Sequence, residues 1–275
     1  MRFKLALIIL FSLTLIFTFS CKKEKKQPEK TVHPTINEEK PELKVFPLPT
    51  PYEVTEIITK AKVSFDKNLL NSTEKDKDYL TTKAQALNMG IYGTDLSYAN
   101  VFNQSLIVKE YFNAIKYLAD ELGLNLLFTD DFLTRIDENI NNPDSLYKIA
   151  TESYYKTYSY LVDRGKSDVA SVVLAGSFVE GLFLALKSAE KASDPQIIYT
   201  KVAEQKFASQ QLVNLLDKHA QLSDMAREVL EEIRPIDAIL RKVKYENDTP
   251  VFSTKDIEML KTAVYKTRSK FVNLE

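Results

Sequence analysis

The 275-residue chain has no tryptophan, one cysteine (Cys21), two histidines (His33 and His219) and six glycines. Each scarcity removes a class of chemistry. Two distant histidines and one thiol cannot assemble a His-rich or thiolate metal centre. No P-loop, Gly-x-Ser-x-Gly elbow or dinucleotide fingerprint occurs, and a Ser-His-Asp enzyme would have to recruit His219, which nothing nearby recommends. No cofactor and no enzymatic activity is therefore expected. Sugar platforms favour tryptophan, and Tyr147, Tyr154, Tyr155, Tyr158 and Tyr160 read as packing contacts of one helix instead. Near balance of 37 basic and 38 acidic residues lacks the cationic footprint of a nucleic-acid binder, so no nucleic acid is expected as partner.

What is present begins at the N-terminus. Arg2 and Lys4 precede an apolar and hydroxylated run from Leu5 to Phe19, with Ser20 and Cys21 after it. This is an export-signal layout. The run is shorter than the roughly 20 residues a spanning helix needs, which favours a cleaved leader (residues 1–20) over a retained anchor. An unmodified Cys21 would be an odd thiol in an oxidising compartment. The tetrapeptide Thr-Phe-Ser-Cys at 18–21 resembles the lipobox of bacterial lipoproteins, with Thr18 and Phe19 departing from the usual residues. The resemblance implies acylation of Cys21, a lipid bilayer as one partner, and placement in the cell envelope, the outer membrane favoured. "NMGIYGTDLSYA" and "LAGSFVEGLFLALK" are similar to segments of helical lipoproteins of Bacteroidetes-type bacteria. That resemblance carries no known activity, so no functional residue transfers from it.

From Lys22 to Lys44 twelve of twenty-three residues are charged, and six of the ten prolines fall between Pro28 and Pro51. Such a stretch cannot bury enough apolar surface to offset ordering. Residues 21–50 read as an acylated cysteine and a tether, spanning about 90 Å fully extended or about 30 Å as a coil. Residues 51–275 are enough for one domain. Stripes with steps of three and four run through Leu222, Met225, Val229, Ile233, Ile236, Leu240 and Val243, and through Ile107, Tyr111, Ile115, Leu118 and Leu122. Helix starts fall at Thr129, Asn142-Pro143, Asp194-Pro195 and Ser253, and stops at Gly123 and Gly165. No strand or hairpin signal is found. The expected fold is all-α, a multi-helix bundle of about eight or nine mostly antiparallel helices, with a helical-repeat-like array as the alternative.

The four other glycines form two intrahelical pairs, Gly90 with Gly93 and Gly176 with Gly181. A helical glycine costs roughly 1 kcal/mol relative to alanine, so all four are expected at close helix packing. Each glycine-bearing segment has one acid: Asp95 is the only charge from Gln85 to Val108, and Glu180 the only one from Val169 to Leu186. A buried carboxylate must be paired, hydrogen-bonded or protonated. With Tyr92 and Tyr98 flanking Asp95, the acids suggest either a polar pocket for a small ligand or an internal network with an Arg or Lys from elsewhere as counter-ion. The functional expectation is a membrane-anchored envelope lipoprotein that binds a protein partner, the alternative being a small-ligand sensor or carrier using Tyr92, Asp95, Tyr98 and Glu180.

Overall fold

Between Val169 and Leu186 only Glu180 is charged, so a helix here has no face for water and must be enclosed. The computed structural model describes residues 51–247 and 249–273. In it helix α6 (Ser167–Ala189) is the axis of the body, with 94% of its most apolar window buried. By length and composition alone it would also pass for a membrane span. The leader, Cys21 and the tether lie outside the described residues.

Before α6 come α1 (Pro51–Lys60), α2 (Thr82–Val101), α3 (Ser105–Glu121), α4 (Asp130–Glu138) and α5 (Pro143–Asp163). After it come α7 (Gln196–Glu204), α8 (Lys206–Ala220), α9 (Asp224–Leu240) and α10 (Thr254–Asn273), so ten α-helices stand among the described residues. Helix α6 packs against α1, α2, α5, α7, α8, α9 and α10. Units of a linear repeat array meet only their neighbours; a shared central helix makes this a bundle.

Helix ends follow the capping residues. Thr129 accepts from the Phe132 N–H, Asn142 from Ser145, and Ser253 from Asp256 at 3.1 Å. Gly123 and Gly165 end α3 and α5 at φ 76° and 73°, the left-handed geometry that closes a helix at little cost to glycine. The stripe around Pro235 is one helix, α9, with the proline inside it and Val229, Ile233, Ile236 and Leu240 buried. Leu222 leaves the stripe: Ser223 caps α9 one residue later, and Leu222 is 97% exposed.

One element was not expected. Strands β1 (Lys244–Glu246) and β2 (Thr249–Val251) pair antiparallel, Lys244 opposite Val251. Three residues are too few to show alternation, Pro250 sits in β2, and the turn uses Asn247 at φ 47° in place of an Asn-Gly pair.

Helices α2 and α6 meet backbone to backbone. A Cβ built on Gly90 would lie 2.1 Å from the Val173 carbonyl oxygen, and one on Gly176 2.0 Å from that of Leu87. Ser177 Oγ donates to the Gly90 carbonyl at 3.1 Å across the contact. Gly181 is buried in the same α6. Gly93 departs from the expectation of close packing: apart from its own helix backbone, nothing lies within 4 Å of where its Cβ would be. Three residues turn a helix by about 300°, enough to carry Gly93 off the contact line.

Candidate functional site

The two isolated acids come together. Asp95 projects from α2 and Glu180 from α6, both fully buried. The cation that meets them comes from α10. Arg268 donates from Nε to Glu180 Oε2 at 3.0 Å and from Nη2 to Oε1 at 3.2 Å, a two-point ion pair. Its guanidinium lies 4.5 Å from the Phe183 ring centroid, and Nη2 also faces the Leu69 carbonyl at 3.3 Å.

The remaining partners come from the connection between α1 and α2, where 3-10 turns at Lys67–Leu69 and Thr73–Asp78 flank a short extended segment. The Asn71 N–H donates to Asp95 Oδ2 at 3.0 Å. Asn71 Nδ2 lies 2.9 Å from the Tyr79 hydroxyl and 3.0 Å from Asn88 Oδ1. Asn88 Nδ2 in turn donates to the Ala84 and Phe271 carbonyls, each at 3.0 Å. Tyr111 donates to the Asn71 carbonyl at 2.7 Å and Tyr92 to that of Ser72 at 2.8 Å. Residues 69–72 are thus gripped by side chains of α2, α3 and α10, which take the Leu69, Asn71 and Ser72 carbonyls and the Asn71 N–H. The acids bind groups of the chain itself, Asp95 the Asn71 N–H and Glu180 the Arg268 guanidinium.

The surroundings of Asp95 favour its protonated form. Burial and the adjacent Glu180 carboxylate push its carboxyl well above the ordinary 3.8, and Arg268 and the Asn71 N–H offset this only in part. Oδ1 has no N–H or O–H donor, while the carboxyl stands within hydrogen-bonding reach of Glu180. A proton on Oδ1 would make that oxygen a donor beside the Glu180 carboxylate, while Oδ2 keeps the Asn71 N–H. The cluster then carries one negative and one positive charge, the balance a buried site tolerates. Burial also drives the phenols of Tyr79, Tyr92, Tyr98 and Tyr111 upward, so they act as neutral hydrogen-bonding groups.

Of the expected site residues, Asp95 and Glu180 are brought together, and Tyr92 and Tyr98 are turned to the connecting segment. Tyr98 accepts from the Asp66 N–H at 3.1 Å and packs on Phe65 and Phe102. The internal network with a basic counter-ion is the arrangement found. Sequence reasoning did not name Arg268, Asn71, Asn88, Tyr79 or Tyr111. Arg268 had a signal: it interrupts the apolar stripe Ile257, Leu260, Val264, Phe271 of α10 at a step of four after Val264. Asn71 had none, because its role is set by the path of an irregular segment. Among the described residues no three His, Cys, Asp or Glu side chains are grouped as a metal site.

A second feature lies at the surface. Leu80, 81% exposed, stands at the lip of a groove of about 690 Å³ between the start of α2, α9 and the end of α10. Leu87, Val229 and Phe271 form its apolar wall. Its rim holds four carboxylates (Asp78, Glu228, Glu231, Glu232) and two amines (Lys83, Lys270). Lys83 pairs with Glu228 at 2.6 Å and Lys270 with Glu232 at 2.5 Å, leaving the rim net acidic. No protein family, no curated protein and no solved structure matches the chain.

Proposed function

We propose that the chain is a lipid-anchored module of the bacterial cell envelope, tethered through acylated Cys21, that works by binding a protein partner. The observation that carries this reading is the groove at Leu80. It joins an exposed leucine and an apolar wall to an acidic rim, the pattern of a docking site whose centre is apolar and whose edge is polar. The chemistry it suits is a protein segment with one apolar anchor flanked by Lys or Arg. The buried acids are engaged by Asn71 and Arg268, which favours recognition at the surface. The outer membrane is favoured over the inner because Lys22, next after the cysteine, gives no inner-membrane retention signal by enterobacterial analogy.

The test places a photo-crosslinking residue at position 80 of the acylated chain in its own envelope, with a control at Lys148, exposed on α5. One protein is expected at position 80 and not at 148. Leu80→Asp is expected to lower its recovery about tenfold or more while the melting temperature stays put, since Leu80 is exposed. Identical products at both positions, or recovery indifferent to Leu80→Asp, would remove the groove from the account. Intact mass of the natural product reports the acyl groups on Cys21 separately.

A further inference from the structure

From Ala84 to Asn100 every residue of α2 is buried except Gly93. Gly93 has ordinary helical geometry, so no left-handed turn explains it. No neighbour explains it either, because a Cβ there would meet nothing within 4 Å. Alanine at such a position stabilises a helix and takes up empty space. Neither backbone geometry nor helix packing therefore requires glycine at this position.

Gly93 opens into a cavity of about 70 Å³ bounded by α2, α3, α5 and α6, on the side of α2 away from Asp95. No charged residue lines it. Phe112 and Leu174 are among its apolar walls, while Ser97, Asn100 and Thr157 add neutral hydrogen-bonding groups. Its outer wall is α5, which buries only four of its 21 residues, so that helix is the side able to yield. The volume is about half that of a 150 Å³ apolar cavity known to accept benzene, so an occupant of ring size requires a small outward shift of α5.

We infer that this cavity is a binding site for a small, uncharged, largely apolar molecule of about one ring in size, which lies against the Gly93 backbone. The site is separate from the Leu80 groove and does not depend on it. Alanine at Gly93 occupies the space the ligand needs without touching the chain.

The experiment titrates the full chain with phenol and benzene, followed by melting temperature and by amide shifts of α2. The wild type is expected to bind saturably, phenol more tightly through its hydroxyl. Gly93→Ala is expected to melt about 2–4 °C higher without ligand and to lose at least about fivefold in affinity. Leu80→Asp is expected to bind phenol as the wild type does, whatever becomes of the protein partner. No saturable binding of either probe, or unchanged affinity in Gly93→Ala, would overturn the site. A lower melting temperature for Gly93→Ala would overturn it too, because the glycine would then serve the fold.

Discussion

At pH 4, Glu180→Gln is expected to cost about 3–5 kcal/mol of unfolding free energy and Asp95→Asn less than about 1 kcal/mol. The two substitutions are chemically alike, each an acid to its amide, and they separate because the acids play unlike parts. Glu180 carries the charge that compensates Arg268 in a nearly closed interior. Its amide leaves the guanidinium without a counter-ion, and Arg268 cannot shed its proton. Asp95 is the protonated member, and asparagine reproduces it: the amide oxygen accepts from the Asn71 N–H and the amide nitrogen donates to Glu180. Denaturant unfolding of both variants, with slope and midpoint compared, reads the difference. Equal losses would mean that both acids are charged, or that neither matters. A ligand-binding role for the acids predicts no such asymmetry in the free protein.

The second large effect is Gly176→Ala, expected to destabilise by about 3 kcal/mol or more. Propensity alone predicts a gain of about 1 kcal/mol from alanine in mid-helix. Packing reverses the sign, because the new methyl would sit 2.0 Å from the Leu87 carbonyl oxygen, which belongs to the backbone and cannot rotate away. The helices must separate, and the Ser177 to Gly90 hydrogen bond between them goes with the contact. A melting temperature equal to or above the wild type would show that α2 and α6 do not approach as described. The opposite sign expected at Gly93 makes the pair a stringent comparison.

These particulars mark what a linear sequence conveys. Regular period and caps were readable, since Thr129, Asn142 and Ser253 act on atoms within three residues of themselves. The burial of α6 was readable because a helix without a polar face admits one environment. The burial of Asp95 and Glu180 was readable from their isolation in apolar segments, whereas their adjacency depends on how α2 and α6 are rotated against each other. The cation was not, since Arg268 is 88 residues from Glu180 and resembles any other basic residue of α10 until its place on the apolar stripe is noticed. Gly90 and Gly93 look equivalent in sequence, yet one meets a backbone at 2.1 Å and the other meets nothing; helical rotation against a partner decides that. The grip on residues 69–72 was beyond reach, because an irregular segment carries no period by which its path could be read.

The central claim is that the buried cluster is a clasp for the α1–α2 connection and that Asp95 holds a proton within it. Folding then takes up a proton at pH values above 3.8, the ordinary carboxylate value, and below the raised value in the fold. In that window the native state binds more protons than the unfolded chain, so this contribution to stability falls as pH rises, by about 1.4 kcal/mol per pH unit. Asp66 and Glu190, whose carboxyls are held below their usual values, contribute with the opposite sign, stabilising above that range and losing it as pH falls. The difference between wild type and Asp95→Asn removes them. Unfolding free energy measured for both from pH 4 to pH 8 is therefore the most direct test. The expected result is that the wild type loses stability relative to Asp95→Asn by that slope as pH rises from 4, and above the raised value stays below it by a constant amount. Parallel curves throughout would show that Asp95 titrates as an ordinary carboxylate, and the proton-sharing clasp would be contradicted.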